Sequence, residues 1–227
     1  MTPLGGIIPL ALLGALLGLD VVSFPQAMLS RPLVAATLAG TLVGEPSRGL
    51  LIGVVLELFA LEMLPFGASR YPEWGSASVV GGAIYGIAAD ATGSALAISV
   101  FAALVTAAVG EWSMSLHRRL IGQKASAMRP ELAEGSAGAV TAVQLWGLTS
   151  DLVRGGVLSG LSLTLFLPVT RNLQIRSGSE LVARAVVVTL AAAVGTAAVW
   201  NITRSIKGAP WFFYGGIALG AMLVALT

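Results

Sequence analysis

Long apolar runs separated by short polar breaks extend along almost the whole chain. The runs are Leu4–Leu19, Pro32–Gly44, Gly49–Leu64, Ser76–Ala89, Gly93–Gly110, Ala137–Thr149, Leu152–Val169, Leu181–Asn201 and Pro210–Thr227. A helix needs about 20 mostly apolar residues to cross a hydrocarbon core about 30 Å thick, and several of these runs approach that length. The pattern predicts an all-α, polytopic membrane protein in which residues 1–227 form a single membrane domain.

Two of the apolar runs are too short to cross a bilayer as straight helices. Pro32–Gly44 is bracketed by Arg31 and Glu45, and Ala137–Thr149 follows a polar stretch. Irregular backbone at membrane depth is tolerated only where protein or a water-filled cavity covers it, and transporters often contain such interrupted segments. We therefore expect broken or re-entrant helices. Because Ala137–Thr149 can either span or re-enter, the topology of the second half stays open.

The composition supports a location in the lipid bilayer. Of the 227 residues, 56% are apolar and 11% are charged, whereas about 25% of the residues in soluble proteins are charged. The formal charge of +2 comes from single residues and short clusters between the apolar runs, with no aromatic-basic stripe, so we expect no nucleic-acid partner. The chain contains no cysteine, which excludes disulfides and thiolate chemistry.

One long polar stretch, at residues 111–135, concentrates basic side chains. It contains His117, Arg118, Arg119, Lys124 and Arg129. Cytoplasmic loops of membrane proteins are enriched in Lys and Arg. The stretch is therefore expected to be a basic loop on the cytoplasmic side.

Glycine is abundant, with 28 residues, and several glycine pairs are spaced by four, such as Gly40 with Gly44 and Gly49 with Gly53. Such pairs give flat helix faces on which two backbones can approach closely. Tight helix packing is the expected role. A sliding surface for a moving domain is the alternative.

Glu57 is the strongest candidate for chemistry, because apolar residues surround it on both sides. A carboxylate at membrane depth costs roughly 2.5–3.5 kcal/mol and needs a partner, a water-filled cavity or a bound proton. Gly53 lies one helical turn before Glu57 on the same face and leaves room for a ligand. The pattern predicts contact with a substrate or an ion. An ion pair with an arginine such as Arg31 is the structural alternative.

Asp20 and Gln26 are weaker candidates for the same site. They flank residues 21–25 between two apolar segments, and one interpretation is that they point into a central cavity. An ordinary loop, with a solvated aspartate and a proline turn, explains them equally well.

Glu62 and Glu73 complete the set of candidate substrate-binding residues. Glu62 follows Glu57 by five positions, roughly 140° around a helix, so the two share a face only if the helix breaks between them. Glu73 lies in a loop with Tyr71 and Trp74. These aromatic side chains suit either stacking on a sugar or anchoring at the membrane interface.

No catalytic motif stands out elsewhere in the sequence. The single histidine, His117, lies in the basic stretch, and no spacing resembles a metal site, a Ser-His-Asp set or a phosphate-binding glycine loop. A role for His117 as a phosphoryl acceptor is the one catalytic alternative, although no neighbouring residue would hold it in one geometry. We expect no cofactor and no enzymatic activity in this chain.

A set of motifs between residues 30 and 78 carries a family resemblance. The positions are Arg31–Leu38, Gly40, Leu42–Glu45, Gly49, Gly53, Leu56–Leu58, Ala60, Leu61, Gly67, Ala68, Pro72 and Glu73, with fainter similarity at Val153, Arg154 and Pro210–Gly215. In these residues the chain resembles the IIC component, or membrane permease, of mannose/fructose/sorbose-family phosphotransferase systems.

The resemblance implies an all-helical subunit with an elevator-type core in the bacterial inner membrane. It implies a homologous IID membrane subunit as partner, trimers of IIC–IID pairs, a hexose substrate, and cytoplasmic IIB and IIA components that carry the phosphoryl group. Glu57 matches the Leu-Glu motif of the family and takes the role of sugar contact by that match. Glu73 stands where the family has an aspartate.

One departure from the family pattern bears on transport. Glu62-Met63-Leu64-Pro65 stands where the family commonly has Gly-Trp-Met-Asn, so a proline replaces an asparagine that would hydrogen-bond the sugar. The identity of the sugar therefore stays open. A transport-inactive scaffold or regulator derived from such a permease is the main alternative, and an ion-coupled transporter with Glu57 as its proton site is a second.

Overall fold

A computed structural model of the chain describes residues 3–20, 23–61, 70–88, 92–172 and 180–226, and the regular structure in these ranges is entirely α-helical. The helices are α1 (Pro3–Asp20), α2 (Pro32–Leu42), α3 (Pro46–Ala60), α4 (Trp74–Ile87), α5 (Gly93–Ala127), α6 (Arg129–Ala133), α7 (Ala137–Asn172), α8 (Glu180–Thr203) and α9 (Ala209–Leu226). The all-α fold predicted from the apolar runs is confirmed.

The length and surface of the longest helices fit a protein that crosses a bilayer several times. Within the described ranges, three segments are long and apolar enough to span a membrane, namely Gly93–Ala127, Ala137–Thr170 and Leu181–Thr203. Large apolar side chains recur every four residues on the outside of α7, at Val153, Val157, Leu161 and Leu165. A stripe of this kind suits lipid rather than water.

Helix α4 occupies the centre of the helical bundle. It packs against α1, α2, α3, α5 and α7, and all of its residues from Gly75 to Gly86 are buried. A Cβ atom added to Gly82 would lie 2.5 Å from the carbonyl oxygen of Ala36 in α2. The glycines of α4 therefore allow the neighbouring backbones to approach closely.

Helices α2 and α3 form a short helical hairpin. Each begins with a proline in its first turn, where the missing N–H is not needed by the helix. Gly44 in the connecting turn has a φ of 85°, a conformation that glycine adopts without strain. With 11 and 15 residues, the two helices are about 17 and 22 Å long, too short to cross the hydrocarbon core alone.

The expected close approach of glycine faces is present inside this hairpin. A Cβ atom on Gly40 would lie 2.7 Å from the Cα atom of Gly49. Side chains at these two positions would force the helices apart. The packing role of this glycine pair is therefore visible in the geometry of α2 and α3.

The structure corrects the division of the second half into separate short segments. Ala137–Thr149 and Leu152–Val169 are parts of one continuous helix, α7. The polar residues between them do not break the helix, because the Asp151 carboxylate pairs with Arg154 one turn later and the Ser150 hydroxyl donates to the Trp146 carbonyl.

The basic stretch at residues 111–135 is also largely helical rather than a loop. Helix α5 continues to Ala127, and the short helix α6 follows it. The sequence has no proline between Gly93 and Arg129, and the Arg and Lys side chains of the stretch are favourable in helices. The charged residues from Glu111 onward therefore follow the apolar part of α5, but the helix itself continues through them.

Candidate functional site

Asp20 is buried at the end of α1 and organises the loop that leads to α2. Its carboxylate accepts hydrogen bonds from the backbone N–H groups of Ala27, at 2.7 Å, and Ser30, at 2.8 Å. The side chain is 2% exposed. Asp20 therefore shapes the loop from the inside, and its carboxylate is already committed to backbone donors.

Gln26 lies on the open side of the same loop. Its φ of 59° places it in the left-handed region, as does the φ of 61° at Met28. The residues from Ser23 to Leu29 are exposed, including the large apolar side chains of Phe24 and Met28. The loop therefore presents an amide and apolar side chains on a surface that Asp20 holds in shape.

Glu57 joins the two helices of the hairpin. One carboxylate oxygen forms an ion pair with the Arg31 guanidinium, just before α2, and the other accepts a hydrogen bond from the Leu33 N–H at 3.1 Å. The side chains of Arg31 and Glu57 are 34% and 22% exposed. The ion pair is therefore partly open, rather than sealed in a dry interior.

Glu73 lies fully inside the protein, at the start of the central helix. It is 1% exposed and caps α4 by accepting hydrogen bonds from the Ser76 N–H, at 3.3 Å, and the Ser76 hydroxyl, at 2.6 Å. Its second oxygen accepts a 2.8 Å hydrogen bond from Arg154 of α7. Through these contacts Glu73 caps the start of α4 and links it to α7.

Arg154 links Glu73 to a second buried carboxylate. Its Nε–H donates to Asp151 at 2.9 Å, and its Nη1 donates to the Ser113 hydroxyl at 3.0 Å. Asp151 also accepts a 2.8 Å hydrogen bond from Ser23 in the loop after α1. Buried charges are tolerated when paired and become costly when a partner is removed. The Glu73–Arg154–Asp151 cluster therefore joins α4, α5, α7 and the loop.

The aromatic candidate Tyr71 is not free to stack on a ligand. It is 5% exposed, its hydroxyl accepts a 2.8 Å hydrogen bond from Arg118, and the Arg118 guanidinium lies 5.2 Å from the centre of its ring. His117, which precedes Arg118 in α5, is buried, and its Nε2 atom lies 2.8 Å from the Ser150 hydroxyl of α7. The Arg118–Tyr71 contact thus connects α5 to the segment before α4, and the His117–Ser150 contact connects α5 to α7.

The structure brings four of the five predicted site residues into one connected region. Asp20 and Gln26 lie at the start of and within the loop between α1 and α2, and Glu57 contacts the residues that follow this loop. Glu73 is linked to the same loop through Arg154 and Asp151. Glu62 lies outside the described residues. Only Glu57 and Gln26 present accessible polar groups, whereas Asp20 and Glu73 are buried and fully engaged.

Sequence reasoning missed Asp151 and Arg154. The available signal was a pair of opposite charges three residues apart inside a long apolar stretch, a spacing that places both on one helix face. Dividing the stretch at Ser150 and Asp151 hid this signal. Among the described residues, no group of three His, Asp or Glu side chains is arranged to hold a metal ion.

Comparison with known proteins agrees with this architecture. The model of the family described as "PTS system sorbose-specific iic component" matches residues 5–170. A solved chain described as "Structure of membrane protein" superimposes with a TM-score of 0.77 at 20% identity, over 100% of this chain and 94% of that one. At this identity the superposition shows that the two proteins share a fold.

Curated relatives match over shorter stretches. The fructose permease IIC component of Bacillus subtilis is 33% identical over 94 residues, which are 41% of this chain and 35% of that protein. The sorbose-specific EIIC component of Klebsiella pneumoniae is 37% identical over 75 residues, 32% of this chain and 28% of that protein. The mannose-specific EIIC component of Escherichia coli K12 is 39% identical over 75 residues, 32% of this chain and 28% of that protein.

The chain thus matches about a third or less of the length of these curated relatives. The family model, in contrast, covers a continuous region from α1 to the end of α7, including the hairpin, the central helix and the ion cluster. With its several membrane-spanning helices and this match over most of its length, the chain belongs to the family of sorbose-specific IIC components of the phosphotransferase system.

Proposed function

We propose that this chain is the sugar-translocating IIC subunit of a mannose-family phosphoenolpyruvate-dependent phosphotransferase transporter in the bacterial inner membrane. It binds a hexose within the membrane and presents it to a cytoplasmic IIB component, which supplies the phosphoryl group. The chain itself moves the sugar and carries out no phosphoryl transfer. Its family membership and its apolar helical exterior support this proposal.

The partly open Arg31–Glu57 pair is the observation that carries the proposal. A carboxylate offers about four acceptor positions and a guanidinium offers five donors. Glu57 uses one contact on each oxygen within the hairpin, so acceptor positions remain for sugar hydroxyls. Hydrogen bonds between hydroxyl groups and an ionised carboxylate are short and strong. The pair therefore offers both donors and acceptors to a polyhydroxyl substrate.

Transport by an elevator movement, together with a IID partner, is part of the same proposal. We place a homologous IID subunit against this chain and assemble the IIC–IID pairs into trimers, as the family resemblance implies. The large exposed apolar side chains of α8 and α9, such as Leu181, Trp211 and Phe212, support a partner or lipid at this end of the chain.

Sugar uptake by cells that express this chain with IID, IIB and IIA components tests the proposal. We expect Glu57→Gln to lower uptake by roughly tenfold to a hundredfold, because hydrogen bonds to a charged group contribute about 1.5–3 kcal/mol. Glu45→Gln is the matched control. Glu45 lies in the turn of the same hairpin, is about half exposed and pairs with Arg48, so its variant should transport normally. Equal uptake by wild type and Glu57→Gln, at equal protein levels, would refute the role of Glu57.

A transport-inactive scaffold is the second candidate function. The contacts that both oxygens of Glu57 make within the hairpin favour the scaffold, because these contacts are sufficient to explain a carboxylate at this position without any sugar. Calorimetric titration of the intact IIC–IID assembly with hexoses separates the two functions. Saturable binding supports the transporter, and an intact assembly that binds no hexose supports the scaffold.

A further inference from the structure

A groove of about 260 Å³ lies on the outer surface of α5, away from the Arg31–Glu57 pair. Glu111, Trp112, Ser115 and Arg119 line it from the helix, and Arg70 lines it from the segment before α4. Ser115 follows Glu111 by four residues and Trp112 by three, and Arg119 follows Ser115 by four, so these side chains lie along one side of α5. The groove therefore combines a single helix face with one arginine from a separate element.

A well-defined contact next to Arg70 fixes its segment against α5. The Arg118 guanidinium donates to the Tyr71 hydroxyl at 2.8 Å and covers the Tyr71 ring. Successive residues on a helix point about 100° apart, so Arg118 faces Tyr71 while Arg119 faces the groove. The Arg118–Tyr71 contact thus brings Arg70 beside the face that carries Arg119.

The groove lies at the depth of a membrane surface. The apolar part of α5, from Gly93 to Gly110, is about 27 Å long at 1.5 Å per residue, close to the thickness of a hydrocarbon core. Glu111 is the first charged residue of the helix. Trp112 is 69% exposed, as is typical of tryptophans in the interfacial belt. The guanidinium groups are therefore placed at the level of lipid headgroups.

The charges of the groove favour an anion. Two arginines and one glutamate leave a net charge of +1. Within the described part of the chain, neither Arg70 nor Arg119 takes part in an ion pair. Guanidinium groups bind phosphate oxygens in a bidentate geometry. Glu111 opposes a bare anion but accepts hydrogen bonds from hydroxyl groups, which glycerol headgroups carry.

We infer that this groove binds a phosphate group, presented by the headgroup of an anionic phospholipid such as phosphatidylglycerol. Arg70 and Arg119 hold the phosphate, and Trp112 packs where the headgroup meets the acyl chains. A small phosphorylated solute offers the same phosphate chemistry, but the depth of the groove and the exposed Trp112 favour the lipid. This inference depends on the membrane location and is independent of the proposed sugar contact at Glu57.

Lipid retention by the full-length protein tests the inference. The protein is reconstituted in nanodiscs that contain phosphatidylglycerol and phosphatidylcholine with identical acyl chains, and the retained lipid is counted by native mass spectrometry. We expect the Arg70→Gln/Arg119→Gln variant to retain about tenfold less phosphatidylglycerol, because each basic residue near the surface contributes severalfold to anionic-lipid affinity. Retention of phosphatidylcholine should not change.

The control variant is Lys124→Gln/Arg129→Gln, which removes the same charge from exposed positions near the end of α5, outside the groove. It should retain phosphatidylglycerol at the wild-type level. Equal loss in both double variants would show a general charge effect and overturn the inference, as would unchanged retention in Arg70→Gln/Arg119→Gln.

The source of the phosphate is tested by adding inorganic phosphate to the mixed nanodiscs and by measuring phosphate binding in nanodiscs of phosphatidylcholine alone. If the lipid is the ligand, phosphate at about 10 mM should leave phosphatidylglycerol retention largely unchanged, because an amphiphile is held by its acyl chains as well. Binding of inorganic phosphate that requires both arginines, without selective phosphatidylglycerol retention, would overturn the lipid assignment and identify a soluble phosphate compound as the ligand.

Discussion

The ion pair between Arg31 and Glu57 has two possible roles that a charge exchange can separate. In the first role, which is structural, the pair holds α2 against α3; in the second, which is functional, its Glu57 carboxylate contacts the sugar. Exchanging the charges, with Arg31→Glu and Glu57→Arg together, keeps an ion pair, moves the carboxylate to the residue just before α2, and removes only the acceptor for the Leu33 N–H. We expect the exchanged protein to assemble normally and to transport at least tenfold less sugar, since one well-placed charge-assisted hydrogen bond contributes that much. Restored uptake in the exchanged protein would assign the pair to architecture alone.

Arg154 is the residue on which we expect stability to depend most. Its removal leaves Glu73 and Asp151 buried without their shared cation, and breaking a buried ion pair typically costs about 3–5 kcal/mol. Arg154→Gln should therefore lower the thermal unfolding temperature in detergent by many degrees. Arg129→Gln, at an exposed position, is the control and should unfold like the wild type.

The combination Glu73→Gln, Asp151→Asn and Arg154→Met removes all three charges together. Neutral replacements of buried ion networks are often tolerated, so this triple variant should recover much of the stability that Arg154→Gln loses. A triple variant as unstable as Arg154→Gln would show that the destabilisation comes from packing rather than from unpaired charge.

At the scale of elements, the closeness of α2 and α3 depends on the absence of side chains at their crossing. A Cβ on Gly40 would lie 2.7 Å from Gly49, and overpacking of this kind typically costs about 1–3 kcal/mol. Gly40→Ala should therefore destabilise the protein and disturb the Arg31–Glu57 pair. Gly122→Ala in α5, where an added Cβ meets nothing within 4 Å, should be neutral or slightly stabilising. Thermal unfolding of the two variants compares them directly.

The apolar pattern predicted most elements but not their continuity. It located α2 and α4 closely, because each is bounded by prolines or polar residues. It divided α7 incorrectly, because a pattern of single residues does not reveal that Asp151 is neutralised by Arg154 one turn later. It also predicted a loop where α5 continues, since charged side chains can extend beyond the membrane on the same helix.

The candidate site was only partly predictable for a related reason. Depth among apolar residues singled out Glu57, and Arg31 was named as its possible ion-pair partner. The link between Glu73 and Arg154 spans 81 positions in the sequence. Contacts at such separations depend on how α4 and α7 pack, which no local pattern specifies.

At the scale of the whole molecule, the orientation in the membrane is testable because the native chain contains no cysteine. The basic extension of α5 should lie on the cytoplasmic side. A cysteine introduced as Ser126→Cys, at an exposed position of this extension, should react with a membrane-impermeant maleimide in inside-out vesicles and remain unlabelled in intact cells. Labelling in intact cells would reverse the orientation.

The α2–α3 hairpin is held in position by its packing against the central helix α4. The central helix α4 packs against α2 and α3 of the hairpin and also against α1, α5 and α7. The buried ion cluster fixes α4 to α7, while the loop after α1 leads directly to Arg31. The polar groups of the hairpin thus lie beside a well-packed interior and remain partly accessible.

Equilibrium binding of hexoses to the purified IIC–IID assembly measures the central claim most directly. Calorimetric titrations would compare wild type, Glu57→Gln and Glu45→Gln, each confirmed to be intact by size-exclusion chromatography. We expect saturable binding in the wild type and in Glu45→Gln, and a dissociation constant at least tenfold higher in Glu57→Gln. Equal hexose affinity in all three proteins would contradict the assignment of Glu57 to the sugar.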